Sequence, residues 1–494
     1  MRIVLAGYNL DKDVIDGLRK ASPGRLDVTP ETLSAAYARI SRDPRPVDEL
    51  RRAAREEVEK ARRSNRTIIF GMGHHSVAVH AVFNFDVVGV SRLAIEEIEH
   101  FRLSSYTEKS QRYILLGNDF VVPEEIRGSG EERLFLATIR AQNRLYHRLF
   151  RKLRPHVFSR HPALAADPRR RSLLEGWAME DARYAVSLAT EAQLGLTTNA
   201  RNLELMIRRF GASPLAEVRE LGRRFFDLAR EVAPSIVLFT EPSDHDALTY
   251  AGIRAEAGSW TRGRGLRSAR VSVVDRDADG DDRILAAFLH TVSGRPAGEC
   301  RKRAASLGPA AKRELMKKAF ARMEFYDFPP REFEHAGLTF ELVVSASCFA
   351  QLKRHRMLTL TGQEYDPALS VTVPPAIDAV GAGKAFREMA DRTADAYARL
   401  KTKTGNAAAY VLMNAHRRRV LLRVNLRELY HISRLREDDA AQWEIRQVAA
   451  KMSAAARKAM PLAGMLLGGK DSYPGRYNKI FGRAPKVLPP NILK

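Results

Sequence analysis

The sequence predicts a mixed α/β protein whose strands and helices occur in the same order twice. Hydrophobic residues alternate in the segment 81–90, where Phe83, Phe85 and Val87 share one side, as is typical of a half-buried strand. Charged segments without such alternation, among them 130–160, predict long helices. Similar strand and helix patterns return after residue 269, so we expect two tandem α/β domains.

The elements of the first half are predicted from capping residues, alternation and prolines. In chain order they are a strand at 1–7, a helix from Thr29 with Pro30 in its first turn, a charged helical segment at 46–65, a strand at 81–90, a helix capped by Ser91 that ends near Arg102, a loop through Tyr113, and long helices at 130–160 and 170–235.

Periodicity fades and Gly, Pro and Ser accumulate between residues 234 and 267, which indicates a linker. We predict a first domain at 1–240, a linker at 241–268 and a second domain at 269–494. The second half is predicted to hold strands at 269–275, 337–344 and 410–412, and helices at 284–288, at 309–325, from Ser345 to Arg356, and from Asn425. Units of about 240 residues are too long for a solenoid repeat, so we interpret the pattern as an internal duplication.

The net charge and the cysteine count indicate which partners the protein favours and which structural classes it excludes. The 494 residues carry a net charge of +23, which favours polyanionic partners such as nucleotides, phosphorylated cofactors or nucleic acid. A solvated arginine-rich surface is the alternative, and the basic runs lack the interleaved aromatic residues of single-strand binders. Two cysteines exclude a disulfide framework and a multi-cysteine zinc site, and we expect no metal, no membrane span and a cytoplasmic location.

One short stretch, residues 99–113, combines cationic, hydroxyl and acidic side chains. Arg102, Lys109 and Arg112 supply cations, Ser110 supplies a hydroxyl, and Glu108 is a carboxylate among them. Closely spaced arginines and serines suit a phosphate, because the guanidinium binds two phosphate oxygens at once. An exposed loop without a ligand is the alternative.

A second stretch, residues 351–357, is expected to be the other half of the same site. Together the two stretches resemble the signature of flavin-dependent thymidylate synthases. The first half keeps the spaced serines and the Arg-Tyr ending of that motif, and the second keeps its Arg-His-Arg and its Gln-Trp-Glu-Ile-Arg phrase. The matching positions are Gly73 to Ser76, His100 to Arg102, Ser105, Glu108, Ser110, Arg112, Tyr113 and Arg183 in the first half, and Glu334, His335, Gln351, Arg354 to Arg356, Asn425, His431, Arg436 and Gln442 to Arg446 in the second.

Each half also departs from the family pattern. The first half has His100 and Phe101 in place of Arg-His, with Leu205 and Phe210 in the last helix. The second half has Gly362, Glu364 and Asp366 in the motif loop, Pro329 and Arg331 upstream, and Ala409 in place of the phosphate-binding arginine. Each loss in one half is matched by a retention in the other, which predicts divergent halves that share one active site.

The resemblance implies sheets flanked by long helices and active sites between subunits, and hence a homodimer that mimics the family's tetramer. It also implies reductive methylation of dUMP to dTMP, with FAD as cofactor and with methylenetetrahydrofolate and NADPH as co-substrates. The implied roles are charge stabilisation by Arg354 and Arg436, substrate binding by Gln351, Glu108, Ser110, Gln111, Arg112 and Arg183, and cofactor binding by His74, Ser76, Arg354, His355, Arg356, Asn425 and His431.

Two other functions stay open on the sequence. One is a non-catalytic protein that binds nucleotides or nucleic acid through its positive charge. The other is flavin-dependent methylation of a different pyrimidine, for which the changes at His100 and Thr107 leave room.

Overall fold

The computed structural model describes residues 1–20, 29–39, 43–71, 75–261 and 269–489. Strands within them are β1 (Arg2–Tyr8), β2 (Val82–Ser91), β3 (Ser105–Glu108), β4 (Glu191–Asn199), β5 (Val271–Arg276), β6 (Gly337–Ser345), β7 (Thr359–Gly362) and β8 (Arg417–Asn425). Helices within them are α1 (Lys12–Lys20), α2 (Glu31–Arg39), α3 (Val47–Glu56), α4 (Val58–Asn65), α5 (Arg92–Ile98), α6 (Glu132–Arg160), α7 (Pro162–Ala166), α8 (Arg171–Ala182), α9 (Ala200–Gly211), α10 (Ala216–Val232), α11 (Asp244–Ala257), α12 (Gly280–Val292), α13 (Ala297–Ser306), α14 (Pro309–Phe320), α15 (Ala346–Leu352), α16 (Pro375–Ala379), α17 (Gly383–Thr404), α18 (Leu426–Arg436), α19 (Trp443–Ala459) and α20 (Tyr473–Phe481).

The chain forms two compact units that do not follow its order. The first unit comprises Met1–Arg264 together with Pro375–Met413, and the second comprises Gly265–Pro374 together with Asn414–Lys494. Helix α17 therefore belongs to the first unit, although it lies late in the chain. Among the described helices, none combines the length and the apolar character that crossing a bilayer requires.

Each unit is built on an antiparallel sheet, and the two sheets have the same topology. Within the described residues the orders are β1-β2-β4-β3 in the first unit and β5-β6-β8-β7 in the second. Each sheet therefore places its second and fourth strands at the centre. The predicted mixed α/β fold, with two similar sheets flanked by helices, is confirmed.

Strand β4 corrects the prediction of one long helical region at 170–235. Leu194 and Leu196 are buried, whereas Gln193 and Thr197 are exposed, so the segment has the two-residue period of a strand. A second correction concerns the predicted loop, because Ser105–Glu108 forms strand β3 and pairs with β4.

The predicted strand at 410–412 is also wrong. Gly405–Val411 is a 3₁₀ helix, and the strand follows later as β8. Within the segment expected to be a linker, Ser243 begins α11 with a capping box that includes Asp246. The apolar run 410–412 was assigned to a strand because a short apolar run does not distinguish a strand from a short helix.

Two capping serines anchor the halves in the same way. The Ser91 hydroxyl accepts from the Ala94 amide at 2.9 Å and donates to Glu217 at 2.6 Å. In the second half, Ser345 Oγ lies 3.1 Å from the Cys348 amide and 2.5 Å from Glu444. The glutamate of the Gln-Trp-Glu-Ile-Arg phrase therefore holds a helix start, which is a structural role.

Helix α17 is tied to α6 by a buried polar contact in the first unit. The Gln142 amide donates to Thr393 Oγ1 and to the Val411 carbonyl, each at 2.9 Å. Tyr410, on the 3₁₀ helix that follows α17, donates to Glu217 at 2.7 Å. These bonds fix the segment Pro375–Met413 to the first-half helices.

Candidate active site

A group of buried charges in the first unit, here called the arginine cluster, consists of Arg92, Arg112 and Arg183 with Glu96, Glu108 and Glu180. Its members come from α5, from β3 and the loop after it, and from the end of α8 with the 3₁₀ turn Arg183–Ala185. The sheet brings them together because β3 pairs with β4, the strand that follows this turn.

The cluster is arranged in pairs of opposite charge. Arg112 Nε lies 2.5 Å from Glu180 Oε2, and Arg92 lies 3.6 Å from both Glu96 and Glu108. Arg92 is 2% exposed and Arg183 is 6% exposed. Water is thus largely excluded from both guanidinium groups.

Arg183 is the member whose charge is hardest to keep buried. Burial lowers the pKa of Arg183, Glu180 partly offsets the effect, and the nearby charges of Arg112 and Arg92 add to it. A guanidinium does not deprotonate in proteins, so the desolvated charge of Arg183 must be balanced by nearby anions, among them Glu180. An oxyanion with several acceptor oxygens, such as a phosphate, fits this set of donors.

The remaining first-half candidates lie in different places. The Ser110 hydroxyl accepts from the Arg112 amide at 3.1 Å, and Gln111 is buried beside it. Ser76 is exposed on the 3₁₀ helix His75–His80. His74 lies outside the described residues.

A second group, here called the histidine cluster, lies in the second unit and consists of Gln351, His355, Glu428, His431 and Arg436. Gln351 belongs to α15 and His355 follows it, whereas the other three residues lie on α18. Arg436 Nε donates to His355 Nε2 at 2.9 Å, and Arg436 Nη2 donates to the Gln351 carbonyl at 3.3 Å.

Burial and neighbouring charge keep both imidazoles of the cluster neutral. Burial and the adjacent Arg436 lower the pKa of His355 to about 3. Burial also lowers the pKa of His431, whose ring centroid lies 5.5 Å from that of His355. Burial raises the pKa of Glu428, whose Oε1 lies 3.6 Å from His355 Nδ1.

The other second-half candidates are sequence neighbours of cluster residues or cap the helix that carries them. Asn425 caps α18 by accepting from the Glu428 amide at 2.8 Å, so its side chain is occupied by the helix start. Arg354 and Arg356 are exposed on either side of buried His355. The side chains of the two arginines are therefore accessible to solvent, whereas the imidazole between them is not.

The two clusters occupy positions that do not correspond between the halves. Counted from the capping serines and from the capping asparagines Asn199 and Asn425, each cluster residue has a counterpart in the other half. The arginine-cluster positions Arg92, Glu96, Glu108, Arg112, Glu180 and Arg183 correspond to Ala346, Ala350, Gly362, Asp366, Asn406 and Ala409. The histidine-cluster positions Gln351, His355, Glu428, His431 and Arg436 correspond to Glu97, Phe101, Asn202, Leu205 and Phe210.

Sequence reasoning did not select four of these residues. Arg92 and Glu96 lie on the helix capped by Ser91, and Glu180 lies three residues before Arg183. Glu428 lies midway between Asn425 and His431 on one face of α18, and this spacing was the available signal.

The family model described as thymidylate synthase complementing protein, Thy1, matches residues 26–235 and 272–462. The chain belongs to the Thy1 family. Because the model matches twice, the predicted duplication with divergent halves is confirmed. Thy1 membership places the chain among enzymes of the methyltransferase type, as the sequence predicted.

Individual relatives match one half or both. A flavin-dependent thymidylate synthase of Clostridium tetani is 28% identical over 217 residues, which cover 43% of this chain and 83% of that protein. A UPF0159 protein of Thermoplasma acidophilum is 23% identical over 477 residues, which cover 88% of this chain and 94% of that protein. The second match runs through both Thy1 halves. A solved flavin-dependent thymidylate synthase of Helicobacter pylori, complexed with FAD and dUMP, is 16% identical with a TM-score of 0.31 and covers 48% of this chain and 100% of its own.

Proposed function

We propose that this protein is a flavin-dependent thymidylate synthase that methylates dUMP to dTMP reductively, with methylenetetrahydrofolate as carbon donor and NADPH as reductant. The observation that carries the proposal is the complementary distribution of the two clusters. Each half of the sequence keeps one polar cluster and has alanine, glycine, phenylalanine or leucine at many positions of the other. Independent decay of two idle halves gives no reason for such a division.

The arginine cluster is proposed to bind the nucleotide. Arg112 and Arg183 with the Ser110 hydroxyl hold the phosphate, since guanidinium groups match phosphate oxygens in geometry and charge. Glu108 and Gln111 offer acceptors and donors for the ribose or the base. Glu180 and Glu96 keep the arginines in place before the nucleotide arrives.

The histidine cluster is proposed to serve the reacting ring and the flavin. The side-chain oxygen of Gln351 is buried and has no hydrogen-bond partner among the described residues, so it fits a donor on a bound ring. FAD, when bound, supplies the hydride, and His74, Ser76, Arg354, His355, Arg356, Asn425 and His431 are the residues proposed to hold it. Arg354 and Arg436 stabilise negative charge that develops on the pyrimidine carbonyls, as preoriented cations do.

We further propose that a complete site combines residues of both halves, 1–240 and 269–494, within one chain or between two copies. A homodimer then provides what four subunits provide in a tetramer of single-domain chains. A cytoplasmic location agrees with nucleotide substrates and with two buried cysteines that form no disulfide.

An absorbance spectrum and a methylation assay test the proposal. The purified protein is expected to show flavin bands, to bind dUMP and to form dTMP with methylenetetrahydrofolate and NADPH. Arg354→Ala and Arg112→Ala should each lose turnover at limiting dUMP, Arg112→Ala because it binds dUMP more weakly. A fully active Arg112→Ala variant would contradict a site shared by the halves.

The net charge of +23 favours one alternative, a protein that binds nucleic acid without chemistry. Counterion release makes such binding fall steeply with salt. An affinity for duplex DNA or RNA that exceeds the affinity for dUMP at physiological salt, in a colourless protein, would support this alternative.

A further inference from the structure

The hydrogen bond between His355 and Arg436 favours one tautomer of the neutral imidazole. A guanidinium is always a donor, so the Nε2 atom that receives the Arg436 proton at 2.9 Å carries no hydrogen of its own. His355 is 3% exposed, so water does not compete for this atom. A neutral imidazole must then carry its proton on Nδ1.

Glu428 lies on the other side of the same ring. Its Oε1 atom is 3.6 Å from His355 Nδ1, and both atoms are buried. The Glu428 backbone amide is held by Asn425 at the first turn of α18, so the carboxylate starts from a fixed point. His431, one turn further along the same helix, packs near the His355 ring.

The first half provides an internal control for this arrangement. Phe101 and Phe210 stand at the positions of His355 and Arg436, counted from the capping serine and the capping asparagine of each half. Their rings pack edge to face with centroids 5.7 Å apart. The contact between the two elements is therefore present in both halves, while its chemistry differs.

This comparison separates the structural role from the functional one. A contact between two apolar rings is sufficient to join the segment that follows α5 to helix α9, as the first half demonstrates. A buried imidazole and a half-buried guanidinium are a costly way to make the same contact, because the imidazole and the facing part of the guanidinium must be desolvated. The polar pair therefore serves something other than the fold.

We propose that His355 is a positioning residue that holds the Arg436 guanidinium toward the substrate, and that Glu428 positions His355 by fixing its Nδ1–H tautomer. This inference rests on the proposed function, in which Arg436 faces the pyrimidine. It changes the role expected for His355, whose Nε2 lies 2.9 Å from Arg436 Nε and whose Nδ1 lies 3.6 Å from Glu428 Oε1. Within the Arg-His-Arg triplet, contact with the flavin is then left to the exposed neighbours Arg354 and Arg356.

A double-mutant cycle on the flavin-loaded protein tests the first step. His355→Phe should weaken dUMP binding about tenfold or more, which is the effect of misplacing one charged hydrogen-bond donor. Arg436→Ala should have a similar effect, and combining the two should add little, because either change removes the same interaction. The proposal would be overturned if the fold-losses in dUMP affinity of the two single variants multiplied in the double variant. It would also be overturned if His355→Phe lost flavin while the remaining flavin-loaded protein kept its dUMP affinity.

A grafted pair controls for folding. The double variant His355→Phe/Arg436→Phe installs the first-half contact, so its midpoint of thermal unfolding should lie above that of either single phenylalanine variant. Its dUMP affinity should nevertheless stay as low as that of Arg436→Ala.

Histidine ¹⁵N spectra of the full chain test the second step without any ligand. The wild type should show His355 as a single Nδ1–H tautomer. Glu428→Gln, which keeps an acceptor oxygen, should preserve that signal, and Glu428→Leu should mix it with the other tautomer or with the imidazolium. An unchanged tautomer in Glu428→Leu would refute the role of Glu428. A wild type that binds no dUMP would instead refute the proposed function, and these spectra distinguish the two failures.

Discussion

The Arg112 guanidinium lies 2.5 Å from the Glu180 carboxylate, and the corresponding positions of the second half carry Asp366 and Asn406. One half thus has a buried ion pair where the other has two residues that cannot form one. Both halves keep the same strand order around these positions. The fold therefore does not require the ion pair between Arg112 and Glu180.

Replacing Arg112 should weaken nucleotide binding selectively. Arg112→Ala removes a charged donor from the phosphate, so the dissociation constant for dUMP should rise about tenfold to hundredfold. Titration calorimetry measures this change. Asp366→Ala is the matched control at the same position of the second half, and an equal loss there would contradict the assignment of the phosphate to the first half.

Replacing Arg183 should separate stability from binding. Arg183→Met keeps most of the side-chain volume and removes a desolvated charge, so the ligand-free free energy of unfolding should change by less than about 1 kcal/mol or increase. Affinity for dUMP should fall at least as far as in Arg112→Ala. Urea unfolding with and without dUMP measures both quantities, and a large loss of ligand-free stability would show that the arginine serves the fold.

Ser345→Ala should destabilise the second unit. The variant loses the cap of α15 and leaves the Glu444 carboxylate buried with fewer donors, a combined effect of about 2–4 kcal/mol. Ser91→Ala should behave in the same way through Glu217. The exposed Ser472→Ala is the control for urea unfolding, and equal stability of all three variants would rule out the anchoring role.

Acidification should destabilise the folded chain through His355. The pKa of its side chain is about 3 when folded and about 6.5 when unfolded, so the unfolded state binds the extra proton between these values. The contribution of His355 to stability is fully present above pH 6.5 and falls by about 2 kcal/mol at pH 5. His431 acts with the same sign and Glu428 with the opposite sign.

The grafted variant His355→Phe/Arg436→Phe isolates this contribution. Its unfolding free energy should depend less on pH between about 5 and 7 than that of the wild type, as measured by urea unfolding at each pH. An identical dependence in the two proteins would place the titrating group elsewhere.

The sequence was sufficient for the elements that carry strong local signals. Ser91 and Ser345 identified two helix starts, and the alternation at Phe83 and Phe85 identified a central strand. Strand β4 was missed because Gly195 and the threonines around it weaken its hydrophobic alternation. The strand forms because it lies between β2 and β3, which is information that no local window contains.

The candidate site was predictable only in part, for a similar reason. Arg112 and Arg183 were identified through spaced motifs, but Glu180 gained meaning only when folding placed it beside Arg112. Glu428 likewise lies far from His355 in the chain and becomes its neighbour through α18. Residues that contact a site residue only after folding, such as Glu180 and Glu428, form no recognisable spaced motif in the sequence.

The membership of Pro375–Met413 in the first unit has a consequence for how this chain can be dissected. A fragment that stops at residue 264 would leave Gln142 without Thr393 and expose the side of α6 that α17 covers. Scission at the segment joining the halves would therefore leave the N-terminal piece without part of the first unit, whereas the C-terminal piece would keep the whole second unit and carry Pro375–Met413 without its partners. The first unit is therefore expected to lose stability when the two halves are expressed as separate chains, because α17 would no longer be covalently supplied to it.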